Sequence, residues 1–282
     1  MKLSRRVLFG AAAVAVAGAG GAVAWDQSDR VASVQADTSG VVTKQELDRA
    51  AARRVFFGHQ SVGENVISGL VPAFARQGAV PPVIADLTSP AIKTPRGAGA
   101  FLHAFVGTNT DPLGKLADFD ARLRGGLSEE IDAALVKFCY VDVDRNTDID
   151  QLFVRYTSTL ELLIRDYPKV DFWHSTVPLM ARPGLLARLR GSVATTWATF
   201  CAEDNLARER YNEKIRAKHR GRLFDLALIE STTPTGSRVE GRVAGQVYYS
   251  LYPGFASDSG HLNAGGSELA AAHLLALLGE GV

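Results

Sequence analysis

The chain has 282 residues, of which 46% are hydrophobic and 22% are charged. This balance is typical of a globular protein with one sizeable core, and it excludes a disordered tail, a collagen-like repeat and a disulfide-stapled miniprotein. Lys and Arg number 31 against 30 Asp and Glu, so no overall electrostatic field would hold the chain on nucleic acid. We therefore expect no nucleic-acid partner.

Residues 1–24 are predicted to be an export signal peptide. A basic stretch that includes the paired Arg5 and Arg6 precedes an uncharged run rich in Ala and Gly, which ends in a small-x-small cleavage site before Trp25. The paired arginines resemble a twin-arginine signal, so we expect a periplasmic, cell-envelope or extracellular protein. An uncleaved anchor is the alternative, and the protein would then contact the membrane only through this segment.

After a linker over 25–42, alternating strand and helix patterns predict a single domain over 43–282. In chain order the predicted elements are a helix opened by the capping box Thr43-Lys44-Gln45-Glu46, strand 54–57, a helix from Ser61, strand 82–85, a loop to about 112, helix 113–123, strand 134–141, helix 149–165, strand 170–173, helix 193–219, strand 223–229 and helix 264–278. Five strands separated by helices predict a three-layer α/β/α sandwich with a mostly parallel five-stranded sheet.

In such a sheet the functional site lies at the carboxyl ends of the strands. Ser61 follows the first strand and begins a helix, where backbone N–H groups could stabilise a developing oxyanion. A plain helix-capping serine is the alternative. Asp258 precedes His261 by three residues, so its carboxylate could orient one imidazole nitrogen and leave the other to take a proton from a serine. A helix-capping loop with an incidental histidine is the alternative here.

A serine after strand one, together with Asp258-x-x-His261-Leu262-Asn263 before the last helix, resembles the SGNH (GDSL-like) hydrolases over about residues 54–278. The resemblance implies a flavodoxin-like sheet and a serine esterase or acylhydrolase that acts on O-acyl groups without a metal or an organic cofactor. Family roles carried over by motif make Ser61 the nucleophile, His261 the general base and acid, and Asp258 the residue that orients His261.

Export makes a small-molecule or glycan ester the expected substrate, with short-chain or carbohydrate-linked acyl groups favoured. We expect no obligate protein partner. The alternative is a non-catalytic protein of the same fold that binds glycans or assists envelope assembly.

The chain departs from the family pattern in two places. The segment Gly58-His59-Gln60-Ser61 is one residue longer than the family's Gly-Asp-Ser and lacks its acid, and the family's Gly-x-Asn-Asp after the central strand is absent. In the family a glycine and an asparagine complete the oxyanion hole. Gly107 and Asn109 are the candidates here, with Asn146 a second candidate for the amide, although such residues are also typical of turns.

Cys139 and Cys201 have no metal-binding spacing, and either a disulfide or two buried thiols would fit an exported protein. Four histidines could in principle gather as metal ligands, namely His59, His103, His174 and His261. No pair has His-x-x-x-His spacing and few carboxylates lie nearby in the sequence, so no metal site is predicted.

Overall fold

Six parallel strands form the central sheet of the computed structural model, in the order β2-β3-β1-β4-β5-β6. The strands are β1 (Arg54–His59), β2 (Val83–Asp86), β3 (Ala100–Phe105), β4 (Ala133–Val136), β5 (Asp171–Ser175) and β6 (Leu223–Phe224). The helices are α1 (Lys44–Ala52), α2 (Ser61–Arg76), α3 (Pro112–Arg124), α4 (Ile149–Asp166), α5 (Ser192–Lys218), α6 (Leu226–Ser231) and α7 (Ala264–Gly279). The α/β sandwich is confirmed, with six strands rather than five.

The structure describes residues 34, 37–88, 97–182 and 192–280, and for 192–198 it describes the backbone alone. The predicted signal peptide over 1–24 and the first part of the predicted linker lie outside these residues. Within them, no helix is both long enough and apolar enough to cross a membrane.

A hydrophobic core lies on each face of the sheet. One core packs against α1, α2 and α7, and the other packs against α3, α4 and α5. Strand β1 contributes to both, because Phe57 points into the first core and Phe56 into the second. All six residues of β1 are buried, as expected for a central strand of a parallel sheet covered on both sides.

Helices α2 and α7 pack with their backbones in close contact. A Cβ atom on Gly69 would lie 2.1 Å from the carbonyl oxygen of Ser267, so only glycine permits this approach. Because α2 begins at Ser61 and His261 lies three residues before α7, the close packing of these helices brings their N-terminal ends to one edge of the sheet.

Strand β3 falls in the segment that the sequence predicts as a loop. Five of its six residues are buried, and it lies between β2 and β1. His103 interrupts the apolar run that would otherwise indicate a buried strand. In the structure the His103 ring is accommodated beside the His59 ring.

Two predicted strands are too long because an aspartate bonds to the local backbone and ends the strand. The strand predicted over 134–141 ends at Val136, since the carboxylate of Asp142 accepts the N–H of Cys139 at 2.6 Å and closes a short 3₁₀ turn. The strand predicted over 223–229 ends at Phe224, because Asp225 is the N-cap of α6.

An antiparallel hairpin outside the main sheet was not predicted from the sequence. It comprises β7 (Glu240–Val243) and β8 (Gln246–Tyr249). Ala244 and Gly245, which connect the two strands, both have positive φ. A two-residue connection of this kind is typical of tight hairpins.

Candidate active site

Ser61, His261 and Asp258 form a continuous hydrogen-bonded chain. Ser61 Oγ lies 2.9 Å from His261 Nε2, across 200 residues of sequence. His261 Nδ1 lies 2.8 Å from Asp258 Oδ2. An ionised carboxylate can only accept hydrogen bonds, so Nδ1 carries the imidazole proton and Nε2 accepts the hydroxyl proton of Ser61. The structure thus brings all three predicted catalytic residues together.

The Asp258 carboxylate is also held by the backbone. Its Oδ1 accepts the N–H groups of Gly260 and His261, each at 2.8 Å. Burial on its own would raise the pKa of Asp258, but the bonds from the His261 ring and the Gly260 N–H outweigh that effect and lower the pKa to about 2. The carboxylate is therefore ionised at neutral pH.

The Leu-Asn part of the predicted motif positions the loop that carries His261. The N–H of Leu262 donates to Asn65 Oδ1 at 3.2 Å, which joins the loop to α2. Asn263 caps α7 by accepting the N–H of Gly266 at 3.0 Å, and its amide nitrogen donates to the carbonyl of Gly254 at 2.8 Å. These bonds hold the imidazole at its distance from Ser61.

Ser61 is the first residue of α2, and Gln60 precedes it as the N-cap. Within the part of the chain that the structure describes, the N–H of Ser61 has no hydrogen-bond acceptor. The positive end of the helix dipole also lies at this point. This end of α2 can therefore stabilise negative charge next to the Ser61 hydroxyl.

Cys139 and Tyr140, which follow β4, also lie beside the Ser61–His261 pair. Neither was predicted from the sequence to lie there. Cys139 Sγ lies 3.7 Å from Ser61 Oγ. The Tyr140 ring meets the His261 ring edge-on, with centroids 5.7 Å apart and planes at 82°. Burial raises the pKa of Tyr140 to about 12, so its hydroxyl is neutral. The signal that could have found them is their position directly after the central strand.

The two predicted oxyanion residues differ in what they can donate. The N–H of Gly107 donates to the Asp118 carboxylate at 2.9 Å, so it already has an acceptor on α3. Asn109 Oδ1 accepts from Lys115 Nζ at 2.9 Å, and the Asn109 amide nitrogen has no partner among the described residues. Asn146, the second candidate for the amide, is exposed on a turn where its N–H donates to Asp144.

A fully buried ion pair joins α3 to the short 3₁₀ turn that follows β4. The side chains of Lys115 and Asp142 are both 0% exposed and contact each other directly. Asp142 also accepts the N–H of Thr110 at 2.8 Å and that of Cys139. The pair therefore fixes the backbone on which both Asn109 and Cys139 are placed.

Two of the four strand-end histidines do lie together. His59 Nε2 is 3.1 Å from His103 Nδ1, and the exposed Glu64, one turn into α2, lies beside them. Burial lowers the pKa of His59 to about 3 and also lowers the pKa of His103, so both rings are neutral at pH 7. The other two histidines lie elsewhere, because His261 contacts Ser61 and His174 stacks on His219.

The two cysteines are buried thiols and do not form a disulfide. Cys201 donates to the carbonyl of Ala181 at 3.5 Å, whereas Cys139 lies at the site. Of the two predicted alternatives, a disulfide or two buried thiols, the structure has the buried thiols.

A cavity of about 730 Å³ is lined by residues of α6 and α7, including Leu228, Leu269 and His273. None of the triad residues lines it. We therefore do not assign this cavity to the substrate of Ser61.

No protein-family model and no curated protein matches the chain. One similar solved structure is a Streptococcus pneumoniae protein provisionally described as a platelet activating factor, with 15% identity, a TM-score of 0.41, and coverage of 82% of this chain and 89% of that one. Another is the periplasmic domain of a lipopolysaccharide acetyltransferase from Salmonella ser. Paratyphi A, with 10% identity, a TM-score of 0.41, and coverage of 80% and 84%. Likenesses this distant do not bear on activity, so function follows from the site geometry.

Proposed function

We propose that this chain is an exported serine esterase that hydrolyses O-acyl esters through an acyl-enzyme on Ser61. The observation that carries the proposal is the 2.9 Å separation of Ser61 Oγ and His261 Nε2, with the opposite ring nitrogen held by Asp258. A general base must lie within hydrogen-bond reach of the proton that it removes. The non-catalytic alternative would not require this distance, so the geometry favours the enzyme.

The acylation step uses all three residues. Ser61 Oγ attacks the ester carbonyl carbon while His261 Nε2 takes the hydroxyl proton. The bond from the carbonyl carbon to the alcohol oxygen then breaks, and the imidazolium gives its proton to that oxygen. Asp258 remains ionised and stabilises the imidazolium.

Deacylation repeats this chemistry with water as the nucleophile. His261 Nε2 removes a proton from water, whose oxygen attacks the acyl carbon. The bond from that carbon to Ser61 Oγ breaks, Oγ recovers its proton from the imidazolium, and a carboxylic acid leaves. The enzyme returns to its starting state.

The oxyanion of each tetrahedral intermediate needs hydrogen-bond donors. We assign the first to the N–H of Ser61, which lies at the N-terminus of α2 and has no acceptor in the described ranges. We assign the second to the amide nitrogen of Asn109, because Lys115 occupies the amide oxygen and so fixes which way the group is turned. Gly107 has no part in this assignment, since its N–H is bonded to Asp118.

The substrate class follows from compartment and family resemblance. The N-terminal sequence favours export, where short acyl groups on envelope carbohydrates are an abundant class of ester. The triad itself is accessible, since the His261 side chain is 28% exposed and that of Asp258 is 48% exposed. We therefore propose a short-chain or carbohydrate-linked O-acyl ester as the substrate.

The test is labelling of the mature protein with a fluorophosphonate, which forms a bond from Ser61 Oγ to phosphorus and releases fluoride. We expect peptide mapping to place the label on Ser61, and Ser61→Ala and His261→Ala to abolish labelling. Ser68→Ala is the matched control, because Ser68 is an exposed serine on the same helix. A folded wild type that stays unlabelled, or a label that persists in Ser61→Ala, would contradict the proposal.

A further inference from the structure

We propose that His59, His103 and Glu64 form a binding site for a divalent transition metal, with Zn²⁺ as the expected occupant. The site lies beside the triad but is separate from it, and the proposal does not depend on esterase activity. Among the described residues, these three each offer one ligand atom, and the three atoms all lie within 4.8 Å of one another.

The two histidines have a separation that suits one metal ion. His59 Nε2 and His103 Nδ1 are 3.1 Å apart. An ion about 2.0–2.1 Å from each nitrogen, the usual Zn–N distance, would make an N–metal–N angle of about 100°, close to tetrahedral. The histidines come from neighbouring strands, His59 from the end of β1 and His103 from β3, so the sheet itself sets this separation.

The protonation of His59 already suits a ligand. Its Nδ1 lies 3.1 Å from the carbonyl oxygen of Gln60, and a carbonyl can only accept, so Nδ1 carries the proton and Nε2 carries a lone pair. Metal-bound histidines typically donate their other N–H to such a carbonyl. Binding then requires only that His103 moves its proton from Nδ1 to Nε2, which leaves its charge unchanged.

The surrounding structure holds the His59 ring in place. Its centroid lies 5.1 Å from those of Phe57 and Phe105. A Cβ atom on Gly63 would lie 2.3 Å from the Cβ atom of His59, so glycine at this position leaves the ring the space that it occupies. A ligand held in one position in this way loses little conformational freedom when a metal binds.

Carboxylates supply the third ligand and the opposing charge. Glu64 is exposed and can turn towards the two nitrogens. Asp86 is paired with His103 in the β2–β3 register, and Thr88 holds its carboxylate. Lys137, the residue that follows β4, is a cation that acts on His59, and burial lowers the pKa of that amine. The carboxylates thus offset the charge of a divalent ion, with water free to fill the remaining coordination position.

The test is direct metal binding to the full mature chain after removal of metals by a chelator. We expect calorimetry to show one Zn²⁺ per chain, and Co²⁺ to give the intense visible absorption of four-coordinate cobalt. Glu64→Gln and His103→Gln should each weaken Zn²⁺ binding at least tenfold. Ser61→Ala should bind Zn²⁺ like the wild type, which separates this proposal from the esterase.

His219→Gln is the matched control for adventitious binding to histidines. It removes one member of the other histidine pair, His174 and His219, whose rings stack face to face with centroids 3.5 Å apart. This variant should retain full Zn²⁺ affinity. The proposal is overturned if the wild type binds no Zn²⁺, or if the affinity is unchanged in both Glu64→Gln and His103→Gln.

Discussion

The substitution Asp258→Asn tests how Asp258 acts on His261, because only one of the two carboxylate oxygens is also held by backbone N–H groups. Oδ1 accepts two backbone N–H groups and lies 3.0 Å from His261 Nδ1, while Oδ2 makes the shorter contact to that nitrogen, at 2.8 Å. Asparagine can keep Oδ1 in place and put an NH₂ group where Oδ2 was. That group can only donate, so it keeps the shorter contact with the ring when His261 Nδ1 becomes an acceptor and the ring proton moves to Nε2. The proton then faces Ser61 Oγ, and His261 can no longer accept the hydroxyl proton.

We expect this reversal to lower kcat by about 10⁴-fold, which corresponds to about 5.5 kcal/mol of transition-state stabilisation. The free energy of unfolding should change by less than about 1 kcal/mol, because the two backbone hydrogen bonds to Oδ1 are retained. The assay is hydrolysis of a short nitrophenyl ester, paired with the rate of fluorophosphonate labelling and with urea unfolding.

Asp258→Ala provides the comparison. It removes the orientation of His261 and also the two backbone bonds, so it should lose both activity and about 1–3 kcal/mol of stability. If folded Asp258→Asn keeps a kcat within tenfold of the wild type, Asp258 does not set the tautomer of His261 and the reasoning fails.

Three further predictions concern the oxyanion, the buried ion pair and a buried carboxyl. Asn109→Ala should lower kcat by about 10²–10³-fold with little change in KM, since the amide would act only on the developing oxyanion; an equal rise in KM would instead indicate a role in substrate binding. Asp142→Asn should reduce the free energy of unfolding, measured by urea titration, by about 3–5 kcal/mol, because it leaves the Lys115 ammonium buried without its counter-charge. The control is Asp48→Asn, which breaks the exposed pair with Lys44 and should reduce it by less than about 1 kcal/mol. Burial raises the pKa of Glu230 from 4.5 to about 8. This carboxyl therefore contributes stability that is complete below pH 4.5 and is lost as the pH rises towards 8. Glu230→Gln should make the free energy of unfolding depend less on pH over that range, and an unchanged slope would show that another group is responsible.

The sequence was sufficient to predict the elements whose signals are local. The capping box at Thr43, the helix from Ser61 and the final helix are all found where they were predicted. The first and the last begin at side-chain N-caps, Thr43 and Asn263, and the helix from Ser61 is indicated by apolar residues that recur every four positions. The contact between Asp258 and His261 could also be predicted, because the short turn between these two residues sets its geometry.

Features that depend on partners distant in sequence could not be predicted in this way. Strand β3 was missed because His103 interrupts its apolar run, and the contact of its ring with His59 comes from a strand distant in sequence. The end of β4 was misplaced because Asp142 bonds back to Cys139, and that carboxylate is held in turn by Lys115 from α3. The local sequence favours Gly107 as an oxyanion donor, but its N–H donates to Asp118 on α3. In each case a tertiary contact decides between two structural interpretations that the local sequence supports equally well.

The dependence of the triad on both α2 and α7 has a consequence for biosynthesis. Ser61 leaves the ribosome 200 residues before His261, which at about 5–20 residues per second is an interval of roughly 10–40 s. During that time the nascent chain carries the serine without the imidazole that would activate it. The hydroxyl meets its proposed base only when the last helix packs against Gly69, so under the proposed mechanism a nascent chain that stalls before this point has no activated serine.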